Sequence, residues 1–159
     1  MQRLNYLNRS DLPIHELIQN STWFDDVNPH YLEKLIPFFQ PYSAPTGTII
    51  LKEGEPTNYF CLICTGIVDV VKESSSGKLK KLKTLGPDKI VGEMAFFDRG
   101  PSSTSVIAKT PAVLLVMDYD SFESLSANSP YIALNITIKL IRTISFRLRE
   151  TSGKLIDLI

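Results

Sequence analysis

Residues Leu85 to Thr110 read L-G-P-D-K-I-V-G-E-M-A-F-F-D-R-G-P-S-S-T-S-V-I-A-K-T, and the rest of the chain is arranged around them. The stretch opens on a Gly86-Pro87 turn and passes through Gly92-Glu93 into a short apolar run, Met94 to Phe97. It breaks at Asp98-Arg99-Gly100-Pro101, then crosses Ser102, Ser103, Thr104 and Ser105 into an alternating strand. A glycine beside a carboxylate lets the backbone approach a ligand closely, because no Cβ intervenes. The residues after it can close one helical turn, whose free N–H groups and positive dipole end suit an anion. The four hydroxyls add short donors. Together these features read as a pocket for a small sugar phosphate, with the Glu93 carboxylate for hydroxyls and backbone N–H groups for the phosphate.

Upstream, Pro13 to Asn20 reads as a short helix with proline in its first turn. Asn28 is placed to cap a second helix, with Pro29 at its first position, running to about Phe38. From Gln40 the pattern changes to strand-like pieces separated by turn residues, as in an all-β sandwich or barrel. The expected strands are Gln40 to Ser43, Thr48 to Leu51, Tyr59 to Cys64, Ile67 to Lys72, Leu79 to Leu85, Ser105 to Ala108 and Val113 to Asp118. Asp120 to Leu125 then reads as a helix capped by Asp120 or Ser121. Pro130 opens a long one, from Tyr131 to about Thr151, which Gly153 could end earlier. Its apolar residues cover more than one face, while a helix lying on a single roll needs one stripe. Leu134, Ile138, Ile141, Ser145 and Leu148 follow the four-three spacing of a helix–helix seam. Packing within its own domain and pairing with a second copy both remain open.

The central stretch resembles the phosphate-binding cassette of the cyclic nucleotide-binding domain family. The resemblance rests on Gly92-Glu93-Met94-Ala95-Phe96-Phe97, Pro101, Ser105-Val106 and Ala108-Lys109-Thr110, with supporting turn glycines at 47, 54, 66, 86 and 92. It implies a mainly β fold with flanking helices: a β-roll of the double-stranded β-helix or jelly-roll type, followed by a long C-terminal helix. The implied division is a helical lead-in at 1–39, the β-roll at 40–118 with its cassette at 92–105, and C-terminal helices at 119–159. It implies that Gly92 and Glu93 hold a ribose, with Met94 beside them, and that the Ala95 amide faces a phosphate, joined by Ser103 and Thr104. The family places an arginine directly after the proline, to pair with the phosphate; here Ser102 stands there. Loss of one charge-assisted hydrogen bond is worth roughly 1.5–3 kcal/mol, or about ten- to a hundredfold in affinity. Arg99, three positions earlier, is the candidate substitute; a solvated loop residue is the other reading. The end of the long helix resembles the catabolite activator's dimer helix, which places Thr151 and Ser152 near the base. A solvated helix end is the alternative.

The whole chain fits these expectations. Its 159 residues make one domain with a helical extension and can bury a core. Lys plus Arg and Asp plus Glu balance at 17 each, which argues against a nucleic-acid surface. The N-terminus shows no apolar signal core and no run reaches membrane-spanning length, so a cytoplasmic protein is expected. Too few residues follow Ser152 for a helix-turn-helix, so DNA binding by this chain alone is not expected. His15 and His30 both precede the roll and cannot furnish the inward histidine set of a metal-holding barrel. Cys61 and Cys64 fall in a strand, where positions three apart face opposite ways; they read as structural thiols, not as a zinc or redox pair. No nucleophile elbow or phosphate-binding G-x-x-x-x-G-K motif is present. Lys78, Lys80, Lys81 and Lys83 read as one solvated strand edge that discourages edge pairing, or as a patch for an acidic partner.

Two functions follow from the resemblance, neither enzymatic and neither needing a resident cofactor. One is a stand-alone regulatory module that senses cyclic AMP, cyclic GMP or a related nucleotide and signals through its C-terminal helix to a downstream protein. The other is a degenerate domain that no longer binds nucleotide and serves as a dimerising interaction module. In both, the partner on the C-terminal helix is a second copy of the chain.

Overall fold

The computed structural model describes residues 8, 9 and 11–158. The part of the lead-in formed by residues 1–7 and 10 lies outside them. In chain order the elements are β1 (Asn8–Arg9), α1 (Ile14–Gln19), α2 (Pro29–Leu35), β2 (Gln40–Ala44), β3 (Ile49–Leu51), β4 (Tyr59–Thr65), β5 (Val68–Glu73) and β6 (Leu79–Leu85). There follow β7 (Ile90–Val91), α3 (Glu93–Asp98), β8 (Ser105–Ala108), β9 (Ala112–Asp118), α4 (Tyr119–Asn128) and α5 (Pro130–Ile156).

The strands form two antiparallel sheets, ordered β1-β2-β9-β4-β7 and β3-β8-β5-β6. Side-chain alternation along a strand explains how they stack. In β4, Tyr59, Cys61 and Ile63 point into the roll between the sheets, while Phe60 and Leu62 point out under the helices. In β9, Leu114 and Val116 face the roll, and Leu115 and Met117 face the helices. The five-stranded sheet is thus covered on both faces at its centre, which is why these strands are continuously apolar. The outer face of the four-stranded sheet carries Asp69, Lys81 and Thr84, with the Thr84 hydroxyl donating to Asp69 at 2.6 Å.

Several boundaries differ from the sequence reading, for local reasons. Asn28 caps α2 as expected, accepting from the His30 amide at 2.9 Å. The α-helix stops at Leu35 and continues as a 3-10 turn, Ile36–Phe38, because Pro37 has no N–H for another α-helical bond. Asp118, not Asp120 or Ser121, caps α4: it ends β9 in an extended conformation and accepts from the Ser121 amide at 2.8 Å. Helix α5 runs through Gly153 to Ile156. The short β7 was not expected; two residues between two turns carry no periodicity.

A bulge in the β5–β6 pairing positions one side chain of the site. Val70 lies opposite Lys83 and Val71 opposite Lys81, so Leu82 is the extra residue. A shift of one residue exchanges the faces of a strand. Lys81 therefore lies outside, 4.0 Å from Asp69, while Lys83 shares the inner face with buried Val70.

Candidate functional site

Gly92 turns the chain from β7 into α3 with φ +87°. A Cβ there would stand 2.8 Å from the Tyr59 carbonyl and 3.3 Å from Leu51 Cδ1. The glycine is therefore required by the left-handed turn and by packing on β4, and not by close approach to a ligand alone. Helix α3 is held from below by its rings. Phe96 is fully buried and meets Phe60, Phe97, Tyr119 and Phe122 with centroids 5.1–5.6 Å apart. Its N-cap, a glycine, has no side chain to bond the first-turn amides, and the residues of that turn, Glu93, Met94 and Ala95, line the cleft above.

That cleft is lined by Gly92, Glu93, Met94, Ala95, Ser102, Ser103 and Thr104 from the central stretch, and by Thr151 of α5. Leu51, Val70, Leu82, Leu85, Val91 and Val106 form its apolar walls. Glu93 is buried at 2% exposure, and its Oε1 accepts from Arg147 Nη1. The second guanidinium nitrogen, Nη2, donates to the Ile90 carbonyl. Arg147 thus ties the long helix to both the carboxylate and the strand before it. Thr151, one turn further, donates its hydroxyl to the Arg147 carbonyl at 2.9 Å.

The hydroxyl run divides into two groups. Ser102 is buried, and its hydroxyl lies 2.8 Å from that of Thr57. Its amide donates to the Glu55 carbonyl and its carbonyl accepts from the Gly54 amide, each at 2.9 Å. Ser102 therefore fastens the cassette to the 54–57 loop. The Ser105 hydroxyl accepts from the Glu53 amide at 2.9 Å, and Lys72 Nζ donates to the Ser103 carbonyl at 2.6 Å and to Glu53 at 2.8 Å. Among the described residues, the Ser103 and Thr104 hydroxyls have no protein partner and line the cleft.

Two expected site residues lie elsewhere. Arg99 is in the left-handed region at φ 57°, and its guanidinium lies 3.0 Å from the Tyr119 ring centroid. It stacks on the ring and does not line the cleft. Ser152 does not line the cleft either; it is exposed one residue beyond Thr151, turned away by the helical step of about 100°. Conversely, two cations line the cleft that were not expected there: Lys83, which the sequence groups with a solvated strand edge but which is half-buried, and Arg147. Arg147 was legible as the residue one turn before Thr151, on the same helix face. Lys83 was hidden by the bulge. Burial, and then the neighbouring Arg147 charge, pull the Lys83 ammonium below the ordinary lysine range.

The cysteines and histidines do not line the cleft. Cys61 lies inside the roll and Cys64 packs toward the helices; burial pushes both thiols up, that of Cys64 to about 12. His15 and His30 are exposed, and no group of three metal-ligating side chains occurs among the described residues. A second hollow between α2 and α5 contains Lys139, but that lysine is paired with Asp26 and lies 4.8 Å above the Trp23 ring.

The sequence model of the cyclic nucleotide-binding domain matches residues 42–129. The chain is 31% identical over 144 residues to a CRP-like cAMP-activated global transcriptional regulator of Mycobacterium tuberculosis, covering 91% of this chain and 62% of that one. Among solved structures, a cyclic nucleotide-binding domain from Methylobacillus flagellatus superimposes with a TM-score of 0.80 at 29% identity, over 92% of this chain and 82% of that one. The catabolite activator protein of Thermus thermophilus gives 0.72 at 28%, over 87% and 63%. The chain thus spans somewhat less than two thirds of the Mycobacterium regulator.

Proposed function

Because this chain belongs to the cyclic nucleotide-binding domain family, we propose that it is a non-enzymatic regulatory module that binds cyclic AMP or cyclic GMP in the cleft above α3. The observation that carries the reading is the buried Glu93 carboxylate beside the open first turn of α3, in one cleft with the free Ser103 and Thr104 hydroxyls. Ribose hydroxyls would donate to Glu93, the α3 amides and Ser103 would meet the phosphate, and Thr151 would meet the base.

Signalling follows from the same contacts. Glu93 is already paired with Arg147, so a ribose on Glu93 shares its carboxylate with α5. A ligand shifts the helix only as far as its affinity differs between helix positions. The outer stripe of α5, Leu134, Ile138, Ile141 and Leu148, is 38–66% exposed, which supports a parallel homodimer through this helix. The partner that reads the change is a further protein. No helix among the described residues is long and apolar enough to cross a membrane, and a cytoplasmic setting is part of the proposal.

One observation favours a second reading, a dimerising module without nucleotide affinity: Ser102 not only replaces the family arginine but has its hydroxyl engaged by Thr57. Thermal unfolding with millimolar cyclic AMP or cyclic GMP decides between them, with Glu93→Gln as control. Ligand at a hundred times its Kd stabilises by about 2.7 kcal/mol, a shift of about 5–11 °C for this size. Such a shift, lost in Glu93→Gln, supports the sensor. No shift with either nucleotide favours the second reading.

A further inference from the structure

A phosphate entering the cleft needs a cation, because an unpaired charge in a partly buried site is costly. The cassette supplies none: Ser102 bonds to Thr57, and Arg99 lies over Tyr119. Two other cations near the cleft are already engaged. Arg147 is held by Glu93 and the Ile90 carbonyl, and Lys72 by Glu53 and the Ser103 carbonyl.

Lys83 is different. Of the four lysines at 78, 80, 81 and 83, the first two and Lys81 are exposed, while Lys83 is half-buried. The Leu82 bulge turns it to the inner face opposite Val70. There it lines a wall otherwise made of leucine and valine. Among the described residues it has no carboxylate within 4.0 Å. Glu93 and Glu150 act on it only at longer range, beside Arg147 and Lys154; a half-buried lysine with no paired carboxylate carries a desolvation cost that a bound anion would relieve.

Resting on the function proposed above, we infer that Lys83 supplies from the facing β6 wall the positive charge that the cassette lacks, and is the principal cation for the phosphate of the ligand. The anion is then held between two separate elements, with the α3 turn and Ser103 on one side and β6 on the other. The lowered affinity of Lys83 for its proton, from burial and then the Arg147 charge, agrees with this placement.

The test is calorimetric titration of the whole chain with cyclic AMP, cyclic GMP and, as a ligand without phosphate, adenosine. Lys83→Met is expected to weaken the cyclic nucleotides about ten- to a hundredfold and to leave adenosine unchanged. Lys83→Arg, which keeps the charge, is expected to stay within about threefold of the parent. Lys83→Gln serves in place of Lys83→Met if the latter folds poorly by circular dichroism. Cyclic nucleotide binding that survives both neutral variants within about threefold overturns the role of Lys83 and leaves the cleft reading intact. Equal weakening of cyclic AMP and adenosine also overturns it, since the residue then acts on the shape of the wall. Failure of the parent chain to bind any cyclic nucleotide overturns both readings.

Discussion

Replacing Arg147 by methionine tests how the long helix is attached. The substitution keeps much of the apolar stem but leaves Glu93, 2% exposed, without its counter-ion. Removing one partner of a buried pair costs about 3–5 kcal/mol. The Arg147 side chain is itself 22% exposed, so water can partly replace it and the lower end applies. About 3 kcal/mol corresponds to a fall in Tm of about 6–12 °C for a chain of this size. Urea unfolding followed by the fluorescence of Trp23, the chain's one tryptophan, measures the loss directly. The decisive comparison is the double variant Glu93→Gln/Arg147→Met. It removes the charge that the single variant strands, and is expected to recover all but about 1 kcal/mol. A single variant within about 1 kcal/mol of the parent, or a double variant no better than the single one, refutes the argument that a buried pair anchors the helix.

Four further outcomes follow from other parts of the molecule. Gly92→Ala should lose at least about 2 kcal/mol by denaturant titration, from the left-handed φ and the 2.8 Å approach to the Tyr59 carbonyl; a neutral effect would contradict the close packing of β7 on β4. Burial opposes ionisation of Asp88, but the Ser21 and Thr22 hydroxyls, with the Trp23 and Thr22 amides, outweigh it and hold its carboxyl below the usual 3.8. The stability it gives is present above that value and lost as pH falls through the folded-state value; Asp88→Asn should remove about 1 kcal/mol at pH 7 and flatten the stability profile below pH 4. Cys64, with its thiol near 12, should carry a thiolate fraction of about one in ten thousand at pH 8; labelling by a thiol reagent as fast as in urea would contradict its burial. Ile141→Glu, in the middle of the exposed α5 stripe, should convert a dimer to a monomer by light scattering, and a parent chain monomeric at tens of micromolar would remove the seam.

The fold was legible because its signals are local. Turn glycines, proline-led helices and alternating strands each act over a few residues, and the cassette ties them to one arrangement. What was not legible depended on contacts far apart in sequence. Nothing near Ser102 announces that its hydroxyl meets Thr57, 45 positions away. Arg99 was placed by a ring at Tyr119 that belongs to the next helix. Lys83 looked like its neighbours in a basic run, and only pairing with β5 shows the bulge that turns it inward. Arg147 pairs with a carboxylate 54 positions away, and that pairing became visible only when α5 was laid across the roll.

The length of α5 beyond its last buried residue has a mechanical meaning. Its last buried residue is Leu140 and the helix ends at Ile156. At 1.5 Å per residue the overhang is about 24 Å. A tilt of about 10° about Leu140 would therefore sweep the tip through about 4 Å. Arg147 grips this lever less than halfway along its arm, so sub-ångström adjustments at Glu93 are multiplied at the tip, where leucine and isoleucine side chains stand free in solvent.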